Sequence, residues 1–334
     1  MILAPLAFAA SLAAFHLPAG ADTTLIVPKG VQLNVADYAG EVFIQTWSQN
    51  AVRILADYSD EDRVIVEPSE NVLLVKAYSK EMADRTADIR LTVPTWMDLD
   101  VSGIHTDVII TGTEGAVKVE TVHGDVIVQG GRKRIRLNTV NDDIALSGAD
   151  GAVHAETVNG SAYVYRVRSD SVDVSTVNGG ICYEGTIGDK GCYRFTSHNG
   201  DVAVAVPRAA NAAVAISTFS GEFESSFPVT LSETKAGRRF QFCLGTCSGR
   251  VELGSFQGTI HLYRPDATPS DEIRRIEGIV SRIIAKRLDP AVERRIKLER
   301  KTKDNPKEGA EWNWVGGFGD ESGKDKEKDE DDDK

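Results

Sequence analysis

The sequence is poor in cysteine, methionine and tryptophan, with 4, 3 and 4 among 334 residues. The four cysteines, Cys182, Cys192, Cys243 and Cys247, lack the Cys-x-x-Cys spacing of zinc knuckles, so no zinc site is predicted. In an oxidising compartment an even count permits two disulfides with three connectivities. Cys243 and Cys247 flank Leu244-Gly245-Thr246 and suit a tight loop, whereas Cys182 and Cys192 lie on different strands and their pairing stays open. No Gly-x-Ser-x-Gly elbow, His-Glu-x-x-His, phosphate loop or dinucleotide fingerprint occurs. Basic residues are outnumbered 38 to 50, giving a net charge of −12, which argues against nucleic acid as a partner. Long apolar runs are missing too. The opening stretch, uncharged through Ala21, is broken by Pro5, His16 and Pro18 and is too short for a membrane span. Ala19-Gly20-Ala21 ahead of Asp22 fits a small-residue cleavage site, so residues 1–21 are expected to be a secretion signal, although no basic residue precedes the apolar part.

What the chain has instead is a repeated turn. Thr121-Val122-His123-Gly124-Asp125, Thr139-Val140-Asn141-Asp142-Asp143, Thr157-Val158-Asn159-Gly160-Ser161 and Thr176-Val177-Asn178-Gly179-Gly180 recur every 18 to 19 residues. Weaker copies begin at Gly103, Ser197, Thr218 and Ser255. A fixed period of this size means stacked structural repeats. After each corner come apolar columns at alternate positions, Val108, Val126, Ile144, Ala162, Ile181 and Val202, then Ile110, Val128, Leu146, Val164, Tyr183 and Val204. Before each corner the same alternation gives Val117, Ile135, Val153, Val172 and Tyr193, then Val119, Leu137, Ala155, Val174 and Phe195. That is the period of a strand with one buried face. Antiparallel hairpins would also place Asn-Gly at turns. They would not make residues 18 apart match in kind, so the predicted class is all-β, a stacked β-solenoid of about 20-residue coils.

The organisation expected from these patterns is a signal peptide over 1–21, an N-terminal β region or leading coils over 22–98, and the repeat solenoid over 99–264. A helical extension over 265–303 and a disordered acidic tail over 304–334 complete it. Thr268-Pro269-Ser270-Asp271 reads as a capping box, and Ile273, Ile276, Val280, Ile283 and Ile284 mark one face of a basic helix over 270–287. That helix is expected to cap the last coil, with contact to an anionic membrane as the alternative. The tail carries Trp312, Trp314 and Phe318, whose role the sequence leaves open.

Asn, His and Gly at the corner are expected to serve a left-handed or strained backbone. His105 and His123 occupy the Asn column and are read as structural. His154, His198 and His261 have no Cys or acidic partner at a recognisable ligand spacing. The acidic column Asp107, Asp125, Asp143, Asp201 and Glu222 invites a calcium reading. Calcium-binding rolls use a repeat half as long, and Ser161 and Gly180 interrupt the column, so solvated turn carboxylates are preferred. No catalytic, cofactor-binding or metal-ligating residue is predicted.

The Thr-Val-Asn-Gly coils, with Ser102-Gly103-Ile104-His105-Thr106-Asp107 ahead of them, resemble the bacterial putative-adhesin family of toast-rack domains. So do Leu33-Asn34-Val35, Val42-Phe43-Ile44-Gln45-Thr46 before Trp47, and Leu91-Thr92-Val93-Pro94. The resemblance covers roughly residues 22–264 and implies a β-solenoid-like fold at the cell envelope, without catalytic residues. The expected function is a non-enzymatic, exported adhesin-like binding or scaffold module, periplasmic or at the cell surface, whose partner is an envelope protein or a glycan. The alternatives are a polysaccharide-acting β-helix enzyme and a self-assembling structural protein.

Overall fold

A computed structural model describes residues 14–58, 62–79, 87–230, 232–233 and 238–265. The segments read as helices and acidic tail, with Trp312, Trp314 and Phe318, lie outside the described residues. The described residues are all-β: no helix occurs among them, and their strands form one 14-stranded and one 12-stranded sheet.

The body is built by alternation between the two sheets. Val117–Glu120 lies in the larger sheet and Val126–Gly130 in the smaller; the next pair, Arg132–Asn138 and Ile144–Ser147, stacks on them in the same order. The stacking is parallel and in register. Val117 pairs through Ile135, Val153 and Val172 to Tyr193, and Val108 through Val126, Ile144, Ala162 and Ile181 to Val202. These are the columns the sequence period selects, and they are fully buried or nearly so. The register follows from the pleat: slipping one strand by a residue would turn its aliphatic face out of the space between the sheets. Tyr183, Tyr193 and Phe195 fill the middle of the stack, where Tyr183 and Phe195 rings approach to 4.8 Å.

At both ends, antiparallel strands replace the parallel stack. Residues 22–98 continue the same two sheets. Leu33–Leu99 and Val42–Val108 are parallel neighbours, antiparallel pairings then join Ile54 to Leu91 and Leu25 to Val52, and a hairpin pairs Val66 with Val75. Phe15–Leu17, inside the segment read as a secretion signal, forms an antiparallel edge strand against Val64–Val66. Leu17 is buried there, and its carbonyl accepts a hydrogen bond from the Tyr58 hydroxyl.

The other end departs from sequence order. Cys192–Ser197 pairs not with the next coil, Ala212–Thr218, but with Gly249–Ser255, and Ala212–Thr218 lies beyond that. The reason is the strand Arg238–Leu244, which pairs antiparallel with Ala212–Thr218 and occupies its outer edge. The later coil therefore enters on the inner side. A Cys243–Cys247 disulfide closes the tight loop at the end of that strand, while Cys182 and Cys192 are not joined in a disulfide.

Not every residue that faces away from the space between the sheets meets water. Phe43, Ile109, Ile127 and Ala145 alternate with inward residues in one continuous row of the smaller sheet, yet all are buried.

Candidate binding surface

Each corner is a short ladder of hydrogen bonds repeated from coil to coil. The threonine that opens it is buried, and its hydroxyl donates to a carbonyl of the preceding corner: Thr157 to Asp142 at 3.0 Å, Thr176 to Gly160 at 2.8 Å. Ser197 and Ser255 do the same toward Gly179 and Gly200. A hydroxyl on a short, stiff side chain satisfies a carbonyl that the turn removes from the sheet ladder.

The asparagines form an amide ladder. The side-chain nitrogens of Asn159, Asn178 and Asn199 donate to the side-chain oxygens of Asn141, Asn159 and Asn178 at 2.9, 2.8 and 2.7 Å. Asn141 in turn reaches the His123 ring at 3.2 Å, and the rings of His105 and His123 stack at 4.7 Å. The expected left-handed backbone is absent from the Asn and His positions, while the corner glycine Gly124 has a φ of +127°. The non-glycine residues with positive φ among the described residues are Lys133, Arg166 and Cys247. Asn is used here because an amide both donates and accepts along a stack whose spacing matches one hydrogen bond. Glycine is required for space: a Cβ on Gly160 would sit 2.0 Å from the Asp142 carbonyl oxygen.

The acidic column is spent on the same ladder. One carboxylate oxygen of Asp107, Asp125, Asp143 and Asp201 accepts the backbone N–H of Asp125, Asp143, Ser161 and Thr259, at 2.9, 3.3, 2.7 and 2.7 Å. Burial, and then the neighbouring Asp107, Asp143 and Asp142 charges, push the Asp125 carboxyl up. Among the described residues, no group of three His, Cys, Asp or Glu side chains gathers as metal ligands would. The structure does bring His154 within 3.7 Å of both Glu156 and Asp173, and His261 within 3.1 Å of Glu224. Two of those partners come from neighbouring strands of the stack, which spacing along the sequence does not reveal. Cys182 lies 3.8 Å from the Tyr263 hydroxyl in a small outer cluster with Tyr165, whose phenol is pushed up chiefly by burial.

The residue after each corner threonine points outward. Ile104, Val122, Val140 and Val177 are exposed aliphatic side chains, Val158 between them is half-buried, and the row continues through His198 to Phe256 and Phe219. Backbone bonds from one corner to the next hold these residues in line, from His123 N–H to the Ile104 carbonyl through Ser220 N–H to the Phe256 carbonyl. Eight corners at the strand spacing make an exposed ridge roughly 34 Å long. Its far end is aromatic: His198 stacks on Phe256 at 4.7 Å and Phe256 on Phe219 at 4.6 Å, with Phe219 70% exposed. Beside these rings lies a groove of about 480 Å³, floored by Thr196, Gly254 and Ser217 and bordered by Arg239. Sequence reasoning missed this groove because its rows come together only through the out-of-order pairing.

No family model and no curated protein matches this sequence. Solved structures do show likeness. The chain is similar to a putative adhesin from Bacteroides fragilis, with 12% identity over 75% of this chain and 98% of that one, at a TM-score of 0.37. A putative adhesin from Parabacteroides merdae gives 8% identity, 77% and 98% coverage and a TM-score of 0.33. A putative cell adhesion protein from Clostridium sporogenes gives 10%, 73%, 99% and 0.24.

Proposed function

We propose that this chain is a non-enzymatic binding module of adhesin type, exported to the cell envelope, built as a β-solenoid that presents one long edge to an extended partner. The exposed corner ridge carries this reading. It repeats one aliphatic side chain per coil from Ile104 to Val177 and a ring per coil beyond, beside an amide ladder, which offers a straight surface with a regular period rather than an enclosed pocket. A contiguous exposed apolar row of this kind is a feature of interaction surfaces. The corner carboxylates of Asp107, Asp143 and Asp201 accept backbone N–H groups of the neighbouring coils.

The test is binding of the full chain to envelope extract and to a panel of extended glycans, compared with a Val140→Glu, Val177→Glu double variant. Both positions are exposed, so the variant should keep its melting temperature. Loss of binding at least tenfold is expected. Unchanged binding by the variant would overturn the ridge as the contact surface. Turnover of a glycan substrate would overturn the non-enzymatic reading, and concentration-dependent filaments of the chain alone would replace it with self-assembly.

A further inference from the structure

We propose that the groove beside Phe219 and Phe256 is a saccharide site that selects sugars bearing a carboxylate. This deepens the binding-module reading above and rests on it. Three features of the groove converge on that ligand.

The first is an aromatic ledge that the fold does not need. Core rings such as Tyr193 and Phe195 are fully buried, whereas Phe219 is 70% and Phe256 38% exposed. Their planes lie within 1° of parallel, so together they present edges and one open face to solvent. An exposed flat ring accepts the apolar C–H face of a pyranose, and burying even part of a phenyl ring against it contributes favourably.

The second is a floor of hydroxyls with a gap. Ser175, Thr196, Gly254 and Ser217 stand in register across four adjacent strands. Gly254 is the one position of this row without a side chain. Its φ is not in the left-handed region, and a Cβ there would meet Thr196 Cγ2 at an ordinary 3.5 Å. Neither conformation nor packing demands glycine. The missing side chain deepens the groove between two hydroxyl groups able to donate to and accept from sugar hydroxyls.

The third is a free cation. Arg239 stands opposite Ser217 at the end of the same row, is exposed, and makes no ion pair among the described residues. Its contrast is Glu252 in the next outward row of this sheet, held by Arg194 beside it in that row and by Arg250 two residues back on its own strand, at 3.1 and 2.5 Å. No acidic side chain lines the groove. A guanidinium with a planar fork of donors, unpaired at the end of a hydroxyl row, matches a carboxylate attached to a sugar ring. The volume is within the usual range of small-ligand sites.

The test is calorimetric titration of the full chain with trigalacturonate and, as the uncharged counterpart, maltotriose. Saturable binding of trigalacturonate at least tenfold tighter than maltotriose is expected. Arg239→Gln should remove that preference, and Phe219→Ala should weaken both sugars. Gly254→Val should abolish both by filling the gap while leaving the melting temperature unchanged. A pentaglutamate peptide should bind at least tenfold more weakly than trigalacturonate; equal binding would make the groove a general anion site and overturn the proposal. Absence of trigalacturonate binding, or binding indifferent to Phe219→Ala and Gly254→Val, would also overturn it. If sugars fail here while envelope binding persists and depends on Val140 and Val177, the groove assignment falls and the module reading stands. If both fail, the module reading falls with it.

Discussion

The rings of Phe219 and Phe256 lie parallel at 4.6 Å, although the coil that carries Phe256 follows the other in the chain and precedes it in the stack. The inversion places a long-range aromatic pair on the surface and makes the far end of the molecule unlike its middle. Variants in the middle of the stack and at this end should therefore behave differently.

In the middle, the inward columns leave no room for charge. Val126→Asp, Ile144→Asp and Val174→Asp each replace a fully buried side chain. Each is expected to destabilise by more than about 4 kcal/mol, or to prevent folding, because no partner is available inside the stack. Chemical denaturation followed by circular dichroism checks this, and a loss under about 1 kcal/mol would contradict the column assignment.

Glycines separate in the same way. Gly160→Ala drives a methyl group into the Asp142 carbonyl oxygen at 2.0 Å and is expected to cost about 1–3 kcal/mol. Gly254→Ala meets only ordinary contacts and should change stability by less than about 0.5 kcal/mol. Equal melting temperatures for the two variants would refute a steric reason for glycine at the corner.

Asp37 gives the pH dependence a definite sign. Its carboxyl is buried and accepts a hydrogen bond from the Thr106 hydroxyl at 2.9 Å, while its other oxygen has no partner. Burial raises its pKa from 3.8 to about 7 despite that hydrogen bond. The folded chain thus holds a proton here that the unfolded chain has released between pH 4 and 7. The contribution of this residue to stability is fully present below pH 4 and is lost as pH rises through 7. Asp37→Asn is expected to be more stable than the parent at pH 8, by up to about 4 kcal/mol, and to flatten this part of the pH profile. A parent–variant difference that does not grow between pH 4 and pH 8 would contradict it.

The strand Phe15–Leu17 bears on processing at the N-terminus. A chain beginning at Asp22 lacks the burial of Leu17 and leaves the edge at Val64–Val66 uncovered. Relative to a chain beginning at Ala14, it should lose about 1.5–3 kcal/mol and melt at a lower temperature. Identical melting curves would show that the edge strand contributes nothing.

The segment after Arg264, expected from the sequence to cap the last coil, is open to test by truncation. In the sequence Ile273, Ile276, Val280, Ile283 and Ile284 mark one helix face, the basis for expecting a cap there. Truncation after Arg264 is expected to raise binding of an apolar dye and promote aggregation, and truncation after Lys303 to do neither. If both truncations behave like the full chain, the stripe has another use, with membrane contact tested on anionic vesicles.

The sequence by itself determined the repeat, the two strands per coil and the identity of the inward columns, because a period of 18 to 19 residues and an alternation of two are local properties. It also determined which residues occupy the corner, though not why. Asn141 and Asn159 are adjacent only in the stack, so a ladder of side chains one coil apart cannot be read from one corner. Tertiary structure alone decided the order of the last coils. Nothing near Val251 states that it pairs with Tyr193 and Val214; that follows from the antiparallel strand Arg238–Leu244 occupying the edge beyond Ala212–Thr218. It decided the groove too, because Thr196, Gly254, Ser217 and Arg239 come from four separate strands whose neighbourhood is set by which edges were free to pair.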